Sequence, residues 1–187
     1  MIKLILMFLV GTTIYSTNLA TKHDFLEEHY IGGEQAFLNY IYQHINYPPS
    51  ARDNCTMGFV KINLPIEKSG EIGEINFYNQ LGNGIEQEIA RLLTTTLGSW
   101  KTSSEERNIE LLFNWRINED AVGGMINIAA GVPDAFCEST QRLEKMMKKF
   151  VKKNKYKKAR SVLNELKNRD PYTNAYQDFE TALKNRD

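Results

Sequence analysis

The chain has 187 residues, of which 42% are hydrophobic, so it can hold one large domain or a small domain with an appendage. This apolar content is enough for a packed core and excludes an intrinsically disordered chain. The 23 basic and 23 acidic residues cancel, so no overall positive charge points to nucleic acid as a partner.

The first twenty residues are typical of an export signal. Lys3 precedes an apolar run over 4–10, and small and polar residues follow. The run is far shorter than the ~20 residues that a membrane-spanning helix needs, but it suits the core of a signal peptide. Cleavage after Ser16 or after Ala20 fits the sequence. A retained N-terminal anchor and a buried core segment are the alternatives to this signal peptide over 1–20.

An amphipathic helix is predicted over residues 35–45, where apolar side chains recur at spacings of three and four. Gly32 and Gly33 allow a sharp turn before its first residue. Pro48 and Pro49 end it, because proline lacks an amide hydrogen and restricts the residue before it.

A β-hairpin is predicted next. Residues 57–66 alternate between apolar and polar side chains, which is the period of a strand with one buried face. The loop over 67–71 contains Gly70, which supplies a positive φ, and 72–79 forms the return strand.

A second amphipathic helix is predicted over 85–97, and its end is weakened by three threonines before Gly98. Residues 108–118 then alternate almost without exception, which predicts a third strand. The order helix, strand, strand, helix, strand predicts an α+β domain over 27–118. In it, a three-stranded antiparallel sheet packs against two helices.

A connector over 119–137 and a helical tail over 138–187 complete the predicted organisation. The connector is rich in glycine but contains the apolar run MINIAAGV, so we expect it to pack against the domain. In the tail, three segments have apolar residues at helical spacing, which predicts three helices. The spacing of Tyr156, Ala159 and Pro171 resembles the second helix of a tetratricopeptide unit, and a single such unit cannot bury its own apolar face.

Positive charge is concentrated in the tail, where residues 142–160 contain ten Lys or Arg and one acid. Such a segment can contact anionic lipid or acidic cell-wall glycan at the envelope, and it can equally be the solvated face of a helix. Export argues against nucleic acid as its partner.

Two cysteines, Cys55 and Cys137, occur in a chain that we expect to be exported to an oxidising compartment. One disulfide between them would tie the first strand to the start of the tail. The alternative is two separate thiols that pack as small hydrophobic side chains.

No catalytic or metal-binding motif is present in the sequence. The two cysteines lack metal-ligand spacing, and no serine or cysteine nucleophile occurs in a motif with a histidine and an acid. We therefore expect a non-enzymatic protein that needs no cofactor and no metal.

Several short motifs occur in a fixed order over residues 31–115. They are Gly32-Gly33-Glu34, Tyr47-Pro48 with Ala51, Gly58, Gly70, Leu81-Gly82-Asn83-Gly84, Glu88-Ile89-Ala90-Arg91, Trp100-Lys101 and the alternating stretch IELLFNW over 109–115. Together they resemble the C-terminal domain of the TonB family, in the form common in Bacteroidetes-type bacteria. The resemblance covers about half the chain and lies in the order and spacing of the motifs.

The resemblance implies a periplasmic protein-binding domain linked to transmembrane transport. TonB domains bind a short extended peptide of an outer-membrane receptor beside their last strand. An edge strand can do this because its unpaired backbone groups accept a further strand. The implied partner-binding residues are Tyr47, Pro48, Ile109, Glu110, Leu111, Leu112, Phe113, Asn114, Trp115 and Arg116.

Two departures from the TonB pattern bear on the function. An energy-transducing TonB has a retained anchor and a long proline-rich spacer, whereas this chain has a short apolar start and five prolines. Thr102 also stands where the family often has proline. A receptor-binding adaptor therefore fits better than a force-transducing component. The alternative is a structural envelope protein whose edge strand is covered by its own helical tail.

Overall fold

A computed structural model describes residues 24–130 and 137–184, which form seven helices and four strands. The helices are α1 (Asp24–His29), α2 (Gly33–His44), α3 (Pro49–Asp53), α4 (Ile85–Thr94), α5 (Thr140–Lys152), α6 (Tyr156–Arg169) and α7 (Gln177–Lys184). The strands are β1 (Gly58–Ile66), β2 (Asn76–Phe77), β3 (Arg107–Arg116) and β4 (Ile126–Ala129). The predicted signal peptide over 1–20 lies outside the described residues.

The α+β class is confirmed, but the prediction of a three-stranded antiparallel sheet is wrong. The sheet has four strands in the order β2-β1-β3-β4. β1 and β3 pair antiparallel along their whole length, from Gly58 opposite Trp115 to Ile66 opposite Arg107. β4 pairs parallel with β3, over residues 113–116 only. It forms because Ile126 and Ile128 alternate with polar neighbours and bury their side chains in the core.

The predicted return strand over 72–79 is reduced to the two residues of β2. Pro65 of β1 explains the interruption, because it has no amide hydrogen to offer the neighbouring strand. Its carbonyl still accepts a bond from the amide of Gly73, at 3.0 Å. The chain then regains regular pairing at Asn76 and Phe77.

The core lies between one face of the sheet and helices α1, α2 and α4. Each helix buries one apolar stripe, and Phe37, Ile41, Ile89 and Leu92 are fully buried. Helix α4 ends at Thr94, three residues earlier than predicted. The Thr95 and Thr96 hydroxyls donate to the carbonyls of Leu92 and Leu93 at 2.5 and 2.6 Å, which satisfies the last turn locally.

The tail forms a second apolar cluster and docks near the start of β1. In this cluster α5, α6 and α7 pack around Met147, Ala159 and Leu166. The backbone of Arg169 comes so close to Gly58 that a Cβ atom there would lie 2.5 Å from the Arg169 carbonyl oxygen. Only glycine fits at this position, which also has a φ of 142°.

Candidate functional site

The backbone of β3 alternates its polar groups between its two neighbours. The amide of Ala130, just after β4, donates to the carbonyl of Arg116 at 3.0 Å, so residue 116 points its polar groups toward β4. With a period of two, Asn108, Leu112 and Asn114 direct their N–H and C=O groups to the same side. We call this side of β3 its outer edge.

Side chains of the β3 residues implicated from the sequence fall into two sets. Ile109, Leu111, Phe113 and Trp115 are buried in the core, and Leu111 also borders a notch at the surface. Glu110, Leu112, Asn114 and Arg116 project from the opposite face of the sheet. Because the second set also carries the outward backbone groups, strand addition would use these even-numbered residues.

The outer edge of β1 is closed by side chains as well as by β2. The Asn79 amide oxygen accepts from the Lys61 N–H at 3.0 Å, and its nitrogen donates to the Phe59 carbonyl at 2.7 Å. The Tyr78 amide donates to the Lys61 carbonyl at 2.9 Å. A further strand therefore finds the outward groups of Phe59 and Lys61 already bonded.

The outer edge of β3 is closed over 113–116, where β4 is its neighbour. The side chain of Asn127 fixes β4 in place. Its amide oxygen accepts from the Asn114 side chain at 2.8 Å and from the Val122 amide at 2.9 Å. Its nitrogen donates to the carbonyls of Val122 and Met125, both at 2.9 Å. The predicted connector thus supplies a strand that covers half of the expected peptide site.

The other half of that edge, over 107–112, has no neighbouring strand among the described residues. Within the same residues, neither the Asn108 nor the Leu112 amide has a hydrogen-bond acceptor. A notch beside this half-edge is lined mainly by Leu26, Leu38, Leu111, Leu112, Gly124 and Ile126. Its volume of about 20 Å³ is far below that of a small-molecule site, so it suits one small apolar group of a peptide.

Charge beside this half-edge is locally neutral. Lys61 of β1 pairs with Glu110 at 2.7 Å across the outward face of the sheet. The hydrogen bond that the Lys61 ammonium donates to the Glu110 carboxylate raises the pKa of Lys61. The charges of these two side chains compensate each other, so recognition at Glu110 would rest on backbone bonds and apolar contacts.

Tyr47 and Pro48 lie at the other end of β3. The Tyr47 ring packs edge-on against Trp115 with 5.2 Å between centroids, and its hydroxyl donates to the Thr56 carbonyl at 2.6 Å. Burial raises the pKa of this phenol. Pro48 precedes helix α3 and faces Gly84. The structure thus groups Tyr47 with Trp115, and it places the notch beside the first half of the strand.

A disulfide joins Cys55 and Cys137, with 5.4 Å between their Cα atoms. Beside it, Arg169 is buried and fixes the tail against the domain. Its guanidinium donates to the Glu138 carbonyl at 2.9 Å and to Glu165 at 3.0 Å, and it lies 3.6 Å from the Glu119 carboxylate. Among the described residues, the tail contacts the domain near the start of β1, where the Arg169 backbone meets Gly58.

The site residues missed from the sequence are those that border the half-edge: Leu26, Leu38, Gly124, Ile126 and Asn127. The alternation at Ile126, Asn127 and Ile128 is a signal for β4. A stretch of four residues after a Gly-Gly pair is, however, too short to distinguish a strand from a packed loop. Leu26 lies in α1, a helix of six residues that is too short to show a helical period in the sequence.

Residues 24–130 and 137–184 contain no group of three His, Cys, Asp or Glu side chains placed to hold a metal ion. No helix in these ranges is both long and apolar enough to cross a bilayer.

Comparison with known proteins gave one similar structure. No family model matches the chain, and no curated protein matches it. Among solved structures, the NMR solution structure of the Helicobacter pylori TonB C-terminal domain (residues 194–285) is similar at a TM-score of 0.38 and 14% identity. The match covers 46% of this chain and 95% of that one. A likeness at this level does not establish a common fold.

Proposed function

We propose that this chain is a non-enzymatic protein-binding module that takes up an extended peptide on the first half of the outer edge of β3. The observation that supports the proposal is the contrast between the two halves of β3. β4 closes the edge over 113–116, whereas 107–112 has β1 on one side and no strand among the described residues on the other. Outward backbone groups on such an edge bond readily to an added strand.

The proposed partner is an extended segment of an outer-membrane receptor or of another envelope protein. The sequence resemblance to TonB domains supports this class of partner, a periplasmic location and a link to transmembrane transport. The structure adds a physical requirement, because the notch beside Leu112 accepts only a small apolar group. A bound segment would therefore place a small apolar side chain against Leu26 and Leu38.

The test is an NMR titration of the isotope-labelled protein with synthetic N-terminal peptides of outer-membrane receptors from the same genome. We expect shifts at 107–112 and at the notch residues, with the far edge at Lys61 unchanged. Leu112→Pro removes one outward amide and keeps the ladder with β1, so affinity should fall roughly 10- to 100-fold. Leu112→Ala keeps the amide and is the matched control.

The two variants separate backbone recognition from side-chain recognition. Equal losses in Leu112→Pro and Leu112→Ala would show that the side chain alone carries binding, which contradicts strand addition. Unchanged binding by a folded Leu112→Pro protein would also contradict it. The circular dichroism spectrum and the thermal midpoint of each variant establish that the fold is intact.

A structural role in the envelope is the second candidate, and β4 favours it. β4 covers half of the outer edge of β3, and a disulfide holds Cys137 at the start of the tail. Under this alternative, receptor peptides at millimolar concentration leave the spectrum unchanged in the folded protein. The same titration therefore decides between the two functions.

A further inference from the structure

Eight exposed lysines surround the turn between α5 and α6, and they form the densest charge in the molecule. They are Lys145, Lys148, Lys149, Lys152, Lys153, Lys155, Lys157 and Lys158. The two helices are antiparallel neighbours, so the end of α5 and the start of α6 meet at the same end of the tail. The sequence alone indicated a basic segment, and the structure shows that its lysines are on the surface.

Four of these lysines share one face of α5, which we call the lysine face. Lys145, Lys148, Lys149 and Lys152 have the spacing i, i+3, i+4 and i+7. Leu143 and Met147 occupy the opposite face and are buried in the tail core. The helix is therefore amphipathic, with an apolar side in the tail core and four lysines concentrated on the opposite side.

The lysine face has no counter-charge among the described residues. None of its four ammonium groups forms an ion pair there, and the one acid in the basic segment, Glu144, accepts a hydrogen bond from the Tyr176 hydroxyl at 2.9 Å. Lysines three and four residues apart repel one another and destabilise a helix. An anionic surface would relieve this repulsion.

The side-chain type that carries the positive charge, lysine or arginine, indicates which anionic partner fits the face. Lysine is a compact, strongly hydrated point charge, whereas arginine makes the two-pronged contacts of specific phosphate recognition. The lysine face contains no arginine, and the nearby aromatic rings of Phe150 and Tyr156 pack against the tail core and offer no platform for stacked bases. Diffuse attraction to a layer of lipid headgroups needs neither feature.

We propose that the lysine face docks the helical tail on the surface of an anionic lipid bilayer. The contact is electrostatic and peripheral, because the apolar side of α5 is used for packing in the tail. This interaction surface lies on the tail, so it is independent of peptide binding at β3.

The test is co-sedimentation of the full chain with vesicles of phosphatidylglycerol and phosphatidylcholine, and with vesicles of phosphatidylcholine alone. The neutral vesicles measure any contribution from the apolar N-terminal residues, which is common to all variants. We expect partitioning onto anionic vesicles that is lost in high salt. Replacing all four lysines of the face by glutamine should weaken that partitioning about 1,000-fold.

Two control variants make the result specific. Arg52→Gln, Lys68→Gln, Lys101→Gln and Lys184→Gln together remove the same charge elsewhere, and this variant should bind like the wild type. Four Lys→Arg replacements on the face keep the charge and should also retain binding.

Three outcomes would overturn the proposal. They are equal loss in the two glutamine variants, equal binding to neutral and anionic vesicles, and binding to a soluble acidic polysaccharide with none to anionic vesicles.

Discussion

β1 and β3 are the two central strands of the sheet, and their outer edges are covered in different ways. On β1, Asn79 bonds the outward groups of Phe59 and Lys61, and Pro65 removes an amide from the same edge. On the outer edge of β3, the neighbour among the described residues is β4, which is four residues long and pairs with residues 113–116. The outer edge of β1 is bonded at Phe59 and Lys61, while the outer edge of β3 has a neighbouring strand among the described residues only over 113–116.

Under the proposed function, this difference lets a small sheet avoid uncontrolled pairing and still offer one place for a partner. An exposed edge strand is a hazard, and proteins usually cover it, shorten it or interrupt it with proline. Here the closed edge uses all three devices. The half-edge over 107–112, which has no neighbouring strand on this side among the described residues, lies beside a notch lined in part by Leu26 and Leu38. These restrictions favour a short extended peptide over a second copy of the sheet.

The largest expected effect comes from removing the disulfide between Cys55 and Cys137. Replacing Cys55 and Cys137 by alanine removes a cross-link between residues 82 positions apart. The loop-entropy relation predicts a loss of about 4 kcal/mol in the free energy of unfolding. Urea denaturation measures it, with the reduced wild type as the control. A loss below about 1 kcal/mol would show that the tail and β4 do not depend on the bridge.

Next in size is the contribution of β4 to the core. Ile128→Ala removes a side chain that is 4% exposed, so we expect a loss of roughly 2–4 kcal/mol in the free energy of unfolding. Val122→Ala is the matched control, because Val122 lies on the same connector but is 39% exposed. Its loss should stay below about 0.5 kcal/mol. Equal losses in urea denaturation would mean that β4 is only loosely attached, and the contrast between the edges would disappear.

A smaller effect is expected when the closed edge is opened. Asn79→Ala frees the Lys61 amide and the Phe59 carbonyl, which should cost about 1–3 kcal/mol of stability. The variant should also self-associate, since it creates an exposed edge. Light scattering after size-exclusion chromatography measures this. Asn76→Ala is the control, because the Asn76 side chain bonds only the nearby Glu74 carbonyl, at 3.0 Å, among the described residues. A strictly monomeric Asn79→Ala protein would contradict the blocking role.

The smallest effect concerns the Lys61–Glu110 pair, which bridges the two edge-bearing strands. Both side chains are partly exposed, so a double-mutant cycle with Lys61→Met and Glu110→Gln should give a coupling of at most about 1 kcal/mol. Glu110 raises the pKa of Lys61 in the folded protein. The coupling is therefore complete below the unfolded pKa of lysine, and it is lost as the pH rises through the folded-state pKa. Coupling that is unchanged far above that pH would contradict this assignment.

Regular patterns in the sequence predicted much of the fold. The alternation of apolar and polar residues over 108–118 predicted β3. Apolar residues at helical spacing predicted α2, α4 and the tail helices. β4 and the shortened β2 could not be predicted, because they depend on tertiary pairing and on the missing amide of Pro65. For the candidate site, the sequence indicated the strand. It did not indicate which half is open, because that depends on the length and register of β4.

Native-state amide hydrogen exchange tests the contrast between the edges most directly. In the full chain without a partner, we expect the Leu112 amide to exchange much faster than the Lys61 amide, which Asn79 bonds at 3.0 Å. Both residues lie within regular strands, so they differ mainly in what faces their outward amides. A Leu112 amide protected as strongly as that of Lys61 would show that the half-edge is covered, and it would contradict the proposed peptide site.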